Sequence, residues 1–370
     1  MKHILGALAG ACLLTPSAFA TTPTGNTLHV ANNGLDSPTC GAAEAPCRSI
    51  SQGILNASAG DTLMVGPGKY GENGSGSVDQ PGEEFGSTIP GSQAGVYVNK
   101  ALTILSSAGA TATIIDVAAT SQAAVQIVVD GVTFGARGAG FTITGGQVNG
   151  LEALGVNNVT IAGNIASKLP GYGFVVISSG VVEVRGNSAF GNTSGFIAYQ
   201  TFVPGAYVQM VNNTSIGNTY GITSRGPASA HQLIGNELTG NDIGLDAALG
   251  PVRIANNNIT GNTRGIDFLD SGAPTPQPPQ VVRNNIFGNK AYGVEVFQAP
   301  PGGLPRLREN NIFANGLCGT HTRANEALDA RNNFWGAASG PSSLDPADTD
   351  CSEFVPARTT PFATGEFDVR

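Results

Sequence analysis

The chain has 370 residues, a formal net charge of −8, 41% hydrophobic residues and only 12% charged residues. Few charges and a mean hydropathy near zero exclude intrinsic disorder, and the acidic pI argues against nucleic acid as a partner. With 52 glycines, the composition favours many tight turns between short apolar strands.

Residues 1–20 have the pattern of a secretory signal peptide. Lys2 supplies a positive start, Ile4 to Leu14 form an apolar core, and Ala18-Phe19-Ala20 forms an A-x-A cleavage site. A lipid anchor on Cys12 is the alternative, although Ala9 stands where such anchors need a large aliphatic residue. No later segment reaches the roughly 18 uninterrupted apolar residues of a membrane helix. We therefore expect a protein secreted to the periplasm or the extracellular space, without a transmembrane segment.

Four cysteines remain after the predicted cleavage site. An even number in an oxidising compartment favours disulfides. Pairing of Cys40 with Cys47 and of Cys318 with Cys351 is the simplest of the three connectivities. A metal site is the alternative, but no histidine stands at ligand spacing from these cysteines. The predicted bridges would clip the two ends of the chain.

The stretch RSISQGILNASAG predicts a short helix near the N-terminus. Its spacing places Ile50, Ile54 and Leu55 on one apolar face. That face has to pack against a neighbouring element of the fold.

A repeat of about 24 residues dominates the second half of the chain. Two asparagines five residues apart open each copy, and a glycine followed by an apolar residue comes three or four residues later. The first asparagines are Asn164, Asn187, Asn213, Asn236, Asn257, Asn284, Asn310 and Asn332. The second ones are Asn192, Asn218, Asn241, Asn262, Asn289 and Asn315.

The spacing and alternation of this repeat predict stacked strands. The period is too short for two-helix repeats, and apolar residues alternate as in strands. Parallel coils stacked at about 4.8 Å would join their inner faces into one core. Asparagine tolerates the left-handed backbone of a sharp corner, and its amides can bond to one another from coil to coil.

The frame GN-x-(I/F)-x-GN-x-x-G-(I/V), from about Val159 to Trp335, resembles the right-handed parallel β-helix repeat proteins of the pectin-lyase-like superfamily, secreted bacterial type. The segment from Leu28 to Gly74 resembles the usual opening of these proteins, and Asn332 to Pro341 resembles their closing turn. The resemblance implies an all-β fold, a single-stranded right-handed parallel β-helix with a short N-terminal capping helix.

The same resemblance suggests the organisation of the chain. We expect a signal peptide over residues 1–20 and an N-terminal cap with the first coils over 21–95. The β-helix repeats follow over 96–340 and a C-terminal tail over 341–370. This fold hosts lyases, hydrolases, epimerases, adhesins and inert scaffolds, so it does not decide the function.

In the strand that follows the glycine of each repeat, alternation points one residue inward and the next outward. The inward residues are Phe174, Phe196, Ile222, Leu245, Ile266 and Val294, and the outward ones are Val175, Ile197, Thr223, Asp246, Asp267 and Glu295. Three stacked acids repel one another unless water, a proton or a cation relieves them. Two interpretations stay open: a solvated acidic strand, or a functional cluster in which Asp246, Asp267 and Glu295 bind Ca²⁺.

The longer coils suggest a groove beside these acids. Their extra residues come just after the same strand, over 201–206, 271–280 and 298–306. Stacked loops would form a wall along which an extended polymer could lie. We predict that Tyr199 and Phe297 bind sugar rings there, together with Asp270 and Arg283.

The resemblance also implies residues for catalysis. Lyases of this fold typically use Ca²⁺ on acidic residues and a Lys or Arg base, which suggests Asp267 with Lys290 and Arg264, in the turns leading into the acidic strand. The Gly-His-Gly turn of polygalacturonase-like enzymes is missing. Of the D-P-H-D turn of uronate epimerases, only the acids Asp267 and Asp270 remain.

Two functions of different classes follow from these features. The first is a secreted, monomeric protein that binds or processes an acidic, uronate-containing polysaccharide, as a Ca²⁺-assisted lyase or, less favoured, a glycoside hydrolase or epimerase. The alternative is a non-catalytic β-helix adhesin, surface protein or matrix scaffold. The acidic column favours the first, and the missing catalytic motifs favour the second.

Overall fold

In the computed structural model the chain winds into a solenoid of short parallel strands. The structure describes residues 25–71, 82–117, 121–145, 149–200, 203–226, 230–248, 250–269, 277–297, 303–341 and 349–369. The predicted signal peptide lies outside these residues. No helix in the described ranges is long and apolar enough to span a membrane.

The first third contains the helices and the first strands. They are β1 (Thr27–Val30), α1 (Ile50–Asn56), β2 (Thr62–Val65), β3 (Gly68–Tyr70), a 3₁₀ turn (Gly86–Thr88), β4 (Ala94–Val98), β5 (Thr103–Ser106), β6 (Thr113–Val117), β7 (Ala123–Ile127), β8 (Thr133–Phe134) and β9 (Thr142–Gly145).

The middle coils are the most regular. Their strands are β10 (Asn149–Val156), β11 (Val159–Ala162), β12 (Ile165–Ser167), β13 (Tyr172–Ser178), β14 (Val181–Arg185), β15 (Ser188–Phe190), β16 (Ser194–Gln200), β17 (Tyr207–Val211), β18 (Thr214–Ile216), β19 (Tyr220–Arg225), β20 (Gln232–Ile234) and β21 (Glu237–Thr239).

The last coils continue the same order. Their strands are β22 (Ile243–Ala248), β23 (Arg253–Ala255), β24 (Asn258–Thr260), β25 (Arg264–Leu269), β26 (Gln280–Val282), β27 (Asn285–Phe287), β28 (Tyr292–Val296), β29 (Arg306–Arg308), β30 (Asn311–Phe313) and β31 (Cys318–Thr322).

These strands form three parallel sheets, because each coil adds one strand to each sheet. The first sheet runs β1-β2-β5-β8-β11-β14-β17-β20-β23-β26-β29. The second runs β3-β6-β9-β12-β15-β18-β21-β24-β27-β30 and the third β4-β7-β10-β13-β16-β19-β22-β25-β28-β31. The all-β parallel fold predicted from the repeat is confirmed.

One continuous apolar core fills the solenoid. The predicted inward column of the third sheet, from Phe174 to Val294, is completely buried, and its members pair in register. The rings of Phe174 and Phe196 stack at 5.0 Å on adjacent coils. Each coil therefore buries its inner face only against its neighbours, as a solenoid requires.

Two buried asparagine ladders hold the corners. In each ladder, one asparagine side-chain oxygen accepts hydrogen bonds from the coil before it, as in Asn236 Oδ1 with the backbone N–H and the Nδ2 of Asn213. Successive ladder residues are 21 to 27 positions apart. The prediction of corner ladders is confirmed.

Two details of the corner prediction are wrong. The first ladder ends on Asn333, which accepts from Asn310, and not on Asn332. The left-handed backbone belongs to the residue before each ladder asparagine, such as Asn256 (φ 55°) or Asn332 (φ 59°), and not to the ladder asparagine. In an Asn-Asn pair, the first asparagine therefore makes the sharp turn, and the second bonds along the ladder.

The ends of the solenoid are covered. Helix α1 begins after Ser49, whose side chain accepts a hydrogen bond from the Gln52 N–H, and it packs on β1, β2 and β4. Ile50 and Ile54 are buried, but Leu55 is 46% exposed, so its predicted place on the buried face is wrong. One position beyond Ile54, a side chain turns about 100° away from the packed face.

Both predicted disulfides are present. Cys40 is bonded to Cys47, and Cys318 is bonded to Cys351. The second bridge brings the tail beside β31, where Asp350 forms a parallel bridge with Thr320. The tail thus adds a further layer at the C-terminal end of the coils.

Candidate functional site

The three predicted acids lie side by side on the outward face of the third sheet. Asp246 of β22 pairs in register with Asp267 of β25, and Asp267 pairs with Glu295 of β28. The column continues to Thr223 on one side and to His321 on the other. The two-residue alternation of each strand and the coil spacing together produce this alignment.

The acidic column is buried, so the interpretation as a solvated strand is wrong. The side chains of Asp246, Asp267 and Glu295 are only 4%, 2% and 2% exposed. Their carboxylates lie beneath longer side chains from neighbouring coils. Burying carboxylates costs free energy unless they are paired.

Three arginines supply that pairing. Arg225, at the end of β19, binds the Asp246 carboxylate of the next coil. Arg264 Nη1 lies 2.9 Å from Asp267 Oδ2 and 3.3 Å from Glu295 Oε2. The third arginine, at position 323 just after β31, has its Nη2 3.8 Å from Glu295 Oε1. All three guanidinium groups remain partly exposed to solvent.

Two carboxylate oxygens in the column have no hydrogen-bond partner among the described residues, namely Asp246 Oδ1 and Asp267 Oδ1. Burial raises the pKa of Asp267 to about 7, with Arg264 opposing the shift and Glu295 adding to it. Burial also raises the pKa of Asp246, against the effect of Arg225. Near neutral pH the column therefore contains a carboxyl group that can hold or release a proton.

His321 closes the column. Its Nδ1 lies 3.3 Å from Glu295 Oε1, and its Nε2 lies 3.7 Å from Glu353 Oε1 in the tail. The imidazole stacks on the Tyr292 ring at 4.5 Å. His321 is not among the site residues predicted from the sequence. Gly319-Thr320-His321 adds one coil to the pattern of a glycine, an inward residue and an outward residue. Thr320 stands where the earlier coils have an apolar residue.

His231, by contrast, is a buried structural residue away from the column. Its Nδ1 accepts a hydrogen bond from the Val208 backbone N–H, and its Nε2 lies 3.2 Å from the Arg225 carbonyl oxygen. Burial lowers the pKa of His231 to about 4. A neutral imidazole with both nitrogens occupied holds the chain beside Arg225.

The aromatic residues proposed to bind sugar differ in their accessibility. Tyr199 is 39% exposed and pairs with Arg225 on the next coil, at one edge of the column. Phe297 lies under two arginines, with Arg323 Cζ 5.0 Å and Arg264 Cζ 5.9 Å from its ring centroid. The ring therefore helps to position the two cations, and its contact with a sugar stays a prediction.

The remaining predicted residues are placed elsewhere or lie outside the described ranges. Lys290 is exposed at the corner before β28 and makes no ion pair with a described residue. Arg283 lies at a corner between the first and second sheets, away from the third, and its Nε bonds Glu309 Oε2 at 2.6 Å. Asp270 lies outside the described residues, as do residues 201–202, 271–276 and 298–302 of the loops expected to form a wall.

The described acids offer few free atoms for the predicted calcium ion. Ca²⁺ takes six to eight oxygen ligands, whereas Asp246 and Asp267 have one uncommitted oxygen each. Among the described residues, the metal-ligating side chains that come close enough together are Asp36, Cys40 and Cys47, and both cysteines belong to a disulfide. Calcium binding stays a prediction that needs water or substrate to complete the coordination.

Two solved structures with similar folds are an epimerase module and a complex with a sugar. The A-module of the mannuronan C-5 epimerase AlgE6 from Azotobacter vinelandii is 14% identical, with a TM-score of 0.56, over 83% of this chain and 91% of that one. The chain is a right-handed parallel β-helix. XylC in complex with xylose has the same β-helix fold, with 11% identity and a TM-score of 0.52 over 86% of this chain and 78% of that one.

Sequence comparison adds a match to part of this β-helix. The model of the family described as periplasmic copper-binding protein (NosD) matches residues 128–295, less than half of the chain. No curated protein sequence is significantly similar. At such low identities the solved structures show the fold of this β-helix alone.

Proposed function

We propose that this β-helix is an exported protein that binds an acidic polysaccharide along the outward face of its third sheet. The observation that carries the proposal is the row of three partly exposed arginines over the buried acids. Each guanidinium uses some of its five N–H groups on the column beneath and keeps others for a ligand. Arginine binds carboxylates with two parallel hydrogen bonds, and uronate sugars present such carboxylates.

The buried acids would fix these arginines before a ligand arrives. Asp246, Asp267 and Glu295 hold the guanidinium groups in place, so less side-chain entropy is lost on binding. When Asp267 carries a proton, Arg264 has one charged partner fewer and keeps Glu295. Its guanidinium group then favours an anionic ligand over a neutral one.

The comparisons support a carbohydrate ligand at the level of the fold. Two of the similar structures are a mannuronan epimerase module and a complex with xylose. Copper fits less well. His231 and Met210 are the histidine and the methionine of the matched segment, which has no cysteine. Both His231 nitrogens are engaged and Met210 is in the core, so the described residues of that segment offer no site for a soft metal.

A lyase reaction is the finer form of this proposal. In β-elimination a base removes the C5 proton of the uronate, the C4–O bond breaks, and the departing oxygen takes up a proton. Arg264, held in place by Asp267 beneath it, would neutralise the uronate carboxylate, which makes the C5 proton more acidic. The exposed Lys290 is the predicted base, because Arg264 is held as a cation by two acids.

A non-catalytic binding protein is the second candidate. His321, the histidine of the column, is nearly buried and has a carboxylate near each nitrogen. It is therefore poorly placed to take a proton from a bound sugar. The same arginines would then hold the polymer without cleaving it.

Binding of pectate, alginate and chondroitin, measured by isothermal titration calorimetry with and without Ca²⁺, tests the proposal. Replacing Arg264 and Arg323 together by alanine should weaken binding at least tenfold. The control is Arg253→Ala, an exposed arginine of β23 in the first sheet, which should leave affinity unchanged. Circular dichroism would show that each variant is folded.

Three outcomes decide between the candidates. Absence of binding to all three polymers would reject the proposal, and so would equal affinity of the double variant and the wild type. Ultraviolet absorbance from unsaturated sugar products would establish the lyase reaction. Binding without such absorbance would favour the non-catalytic candidate.

A further inference from the structure

A second candidate site lies on the far side of the solenoid, at the corner between the first and second sheets. A cleft of about 550 Å³ opens there, a volume within the usual range for ligand sites. Its lining comes from four consecutive coils. The lining includes Arg137, Gly163, Ile165, Arg185, Gly186 and Val211.

An irregular corner forms one wall of this cleft. Between β11 and β12 the corner has two residues, Gly163 and Asn164, whereas residues 135–141 separate β8 from β9. The longer loop folds back through Gly135 (φ 75°) and Gly138 (φ 78°). It rests directly on the next coil, because a Cβ at Gly140 would lie 1.9 Å from the Gly163 carbonyl oxygen.

Glycines leave the floor of the cleft without side chains. Gly163 and Gly186 occupy the left-handed corner position that carries Asn256, Arg283 and Glu309 in later coils. A Cβ added at Gly186 would have no atom within 4 Å, so this position faces open space. The cleft therefore exists where the repeat omits the side chains that fill the equivalent corners.

The charge of the cleft is positive. Arg137 and Arg185 are its charged lining residues, and no acid is among them. Arg185 uses its Nε on Glu183 Oε2 at 3.1 Å, which leaves both terminal amino groups free of a carboxylate. Arg137 makes no ion pair with any residue in the described ranges. Two guanidinium groups and the apolar side chains of Ile165 and Val211 suit a ligand with an anionic group on a less polar body.

We propose that this corner cleft binds an oxyanion, a carboxylate or a sulfate group, carried by a sugar. The planar N–H forks of Arg137 and Arg185 would hold the oxygens, and the wall formed by residues 135–141 would enclose the ring. The cleft shares no residue with the acidic column, because the two sites lie on different sheets. A polysaccharide-binding protein would thus contact anionic sugar at two separate places.

The test uses galacturonate, inorganic sulfate and neutral galactose as probes, with NMR chemical-shift changes of the ¹⁵N-labelled protein as the readout. Galacturonate or sulfate should shift the amides of Gly138, Gly163 and Gly186, and galactose should not. Whichever of galacturonate and sulfate shifts these amides at the lower concentration carries the preferred oxyanion. Replacing Arg137 and Arg185 by alanine should weaken the effect at least tenfold.

A cleft-filling variant provides an independent check. Gly186→Asn should also weaken binding at least tenfold while the melting temperature stays close to that of the wild type, since Asn212 and Asn256 adopt the same left-handed backbone in equivalent corners. Arg253→Ala is the control, because this exposed arginine of β23 does not line the cleft. Equal binding by wild type and the Arg137/Arg185 variant, or equal shifts with galactose, would overturn the proposal.

The result is separable from that for the acidic column. The variant lacking Arg264 and Arg323 should keep its response at Gly163 and Gly186. For the wild type, a corner response to galacturonate or sulfate without polymer binding would reject the acidic column alone, and polymer binding without a corner response would reject the corner cleft alone.

Discussion

Asp267 is the residue in which burial and charge oppose each other most directly. Its carboxylate is almost inaccessible, one oxygen contacts Arg264 and the other has no partner among the described residues. Because the folded protein binds a proton here more tightly than the unfolded chain does, ionisation of Asp267 destabilises the fold. A group that costs stability when ionised is a candidate for function.

The pH dependence of stability should reveal this group. Since the pKa of Asp267 rises from 3.8 to about 7 on folding, its favourable contribution is complete below pH 3.8 and is lost as the pH rises to about 7. The loss is at most about 1.4 kcal/mol per pH unit. Asp267→Asn, which resembles the protonated acid, should remove this pH-dependent loss of stability. The variant should therefore gain stability relative to wild type between pH 4 and pH 7.

Thermal unfolding of wild type and variant over this pH range measures the difference. Asp242→Asn, at an exposed acid in the corner before β22, is the matched control and should give a curve parallel to that of the wild type. Parallel curves for Asp267→Asn as well would mean that Asp267 is ionised at all these pH values.

The sequence predicts the position of such residues better than their environment. The alignment of Asp246, Asp267 and Glu295 follows from the two-residue alternation of strands and the length of a coil. Their burial does not, because it depends on Arg225 and Arg323 reaching from neighbouring coils. Long side chains that cross between coils leave no periodic pattern in the sequence.

At the scale of the element, the asparagine ladders stabilise the corners. Asn236 shows the arrangement: its oxygen accepts from the Asn213 backbone and side chain, and its Nδ2 donates to the Met210 carbonyl and to Asn257. The side chain is fully buried. Each ladder amide thus satisfies backbone groups that the sharp corner would otherwise leave unpaired.

Removing one rung should therefore be costly. Asn236→Ala leaves the Asn213 N–H and the Met210 carbonyl without these bonds, and we expect the free energy of unfolding to fall by about 2–4 kcal/mol. Asn258→Ala is the control, because Asn258 lies one coil further along with an exposed amide, and it should cost less than about 0.5 kcal/mol. Denaturant unfolding compares them, and similar losses would contradict a special role for the ladder.

The ladders also show how far the repeat could be predicted. The asparagine frame predicts their existence and their period, because a buried amide is tolerated only where it is fully bonded. It does not predict which member of Asn332-Asn333 joins the ladder. That choice depends on which residue takes the left-handed backbone, and both can.

In the whole molecule, each coil contacts mainly its neighbours, so the two ends are secured separately. Cys318–Cys351 holds the tail beside β31, and Arg323 and Glu353 join across the same contact at 3.1 Å. At the other end, Cys40–Cys47 braces the segment before α1. Local stability in such a chain depends on local contacts.

Cutting either bridge should therefore loosen one end alone. Cys318→Ala with Cys351→Ala should speed amide hydrogen exchange in β31 and residues 349–369 and leave the first coils protected. The corresponding variant at the other end, Cys40→Ala with Cys47→Ala, is the control and should speed amide hydrogen exchange in β1 and α1. Uniformly faster exchange along the whole chain in either variant would contradict this independence.

The covered ends have a consequence for assembly. A bare coil presents unpaired N–H and C=O groups that can template the strands of another molecule. Helix α1 blocks this at one end, and the tail blocks it at the other through the bridges of Asp350 to β31 and of Arg358 to Asp329. A chain cut after residue 341 would expose the final coil to its neighbours and grow into linear filaments, so the tail sets where the solenoid stops.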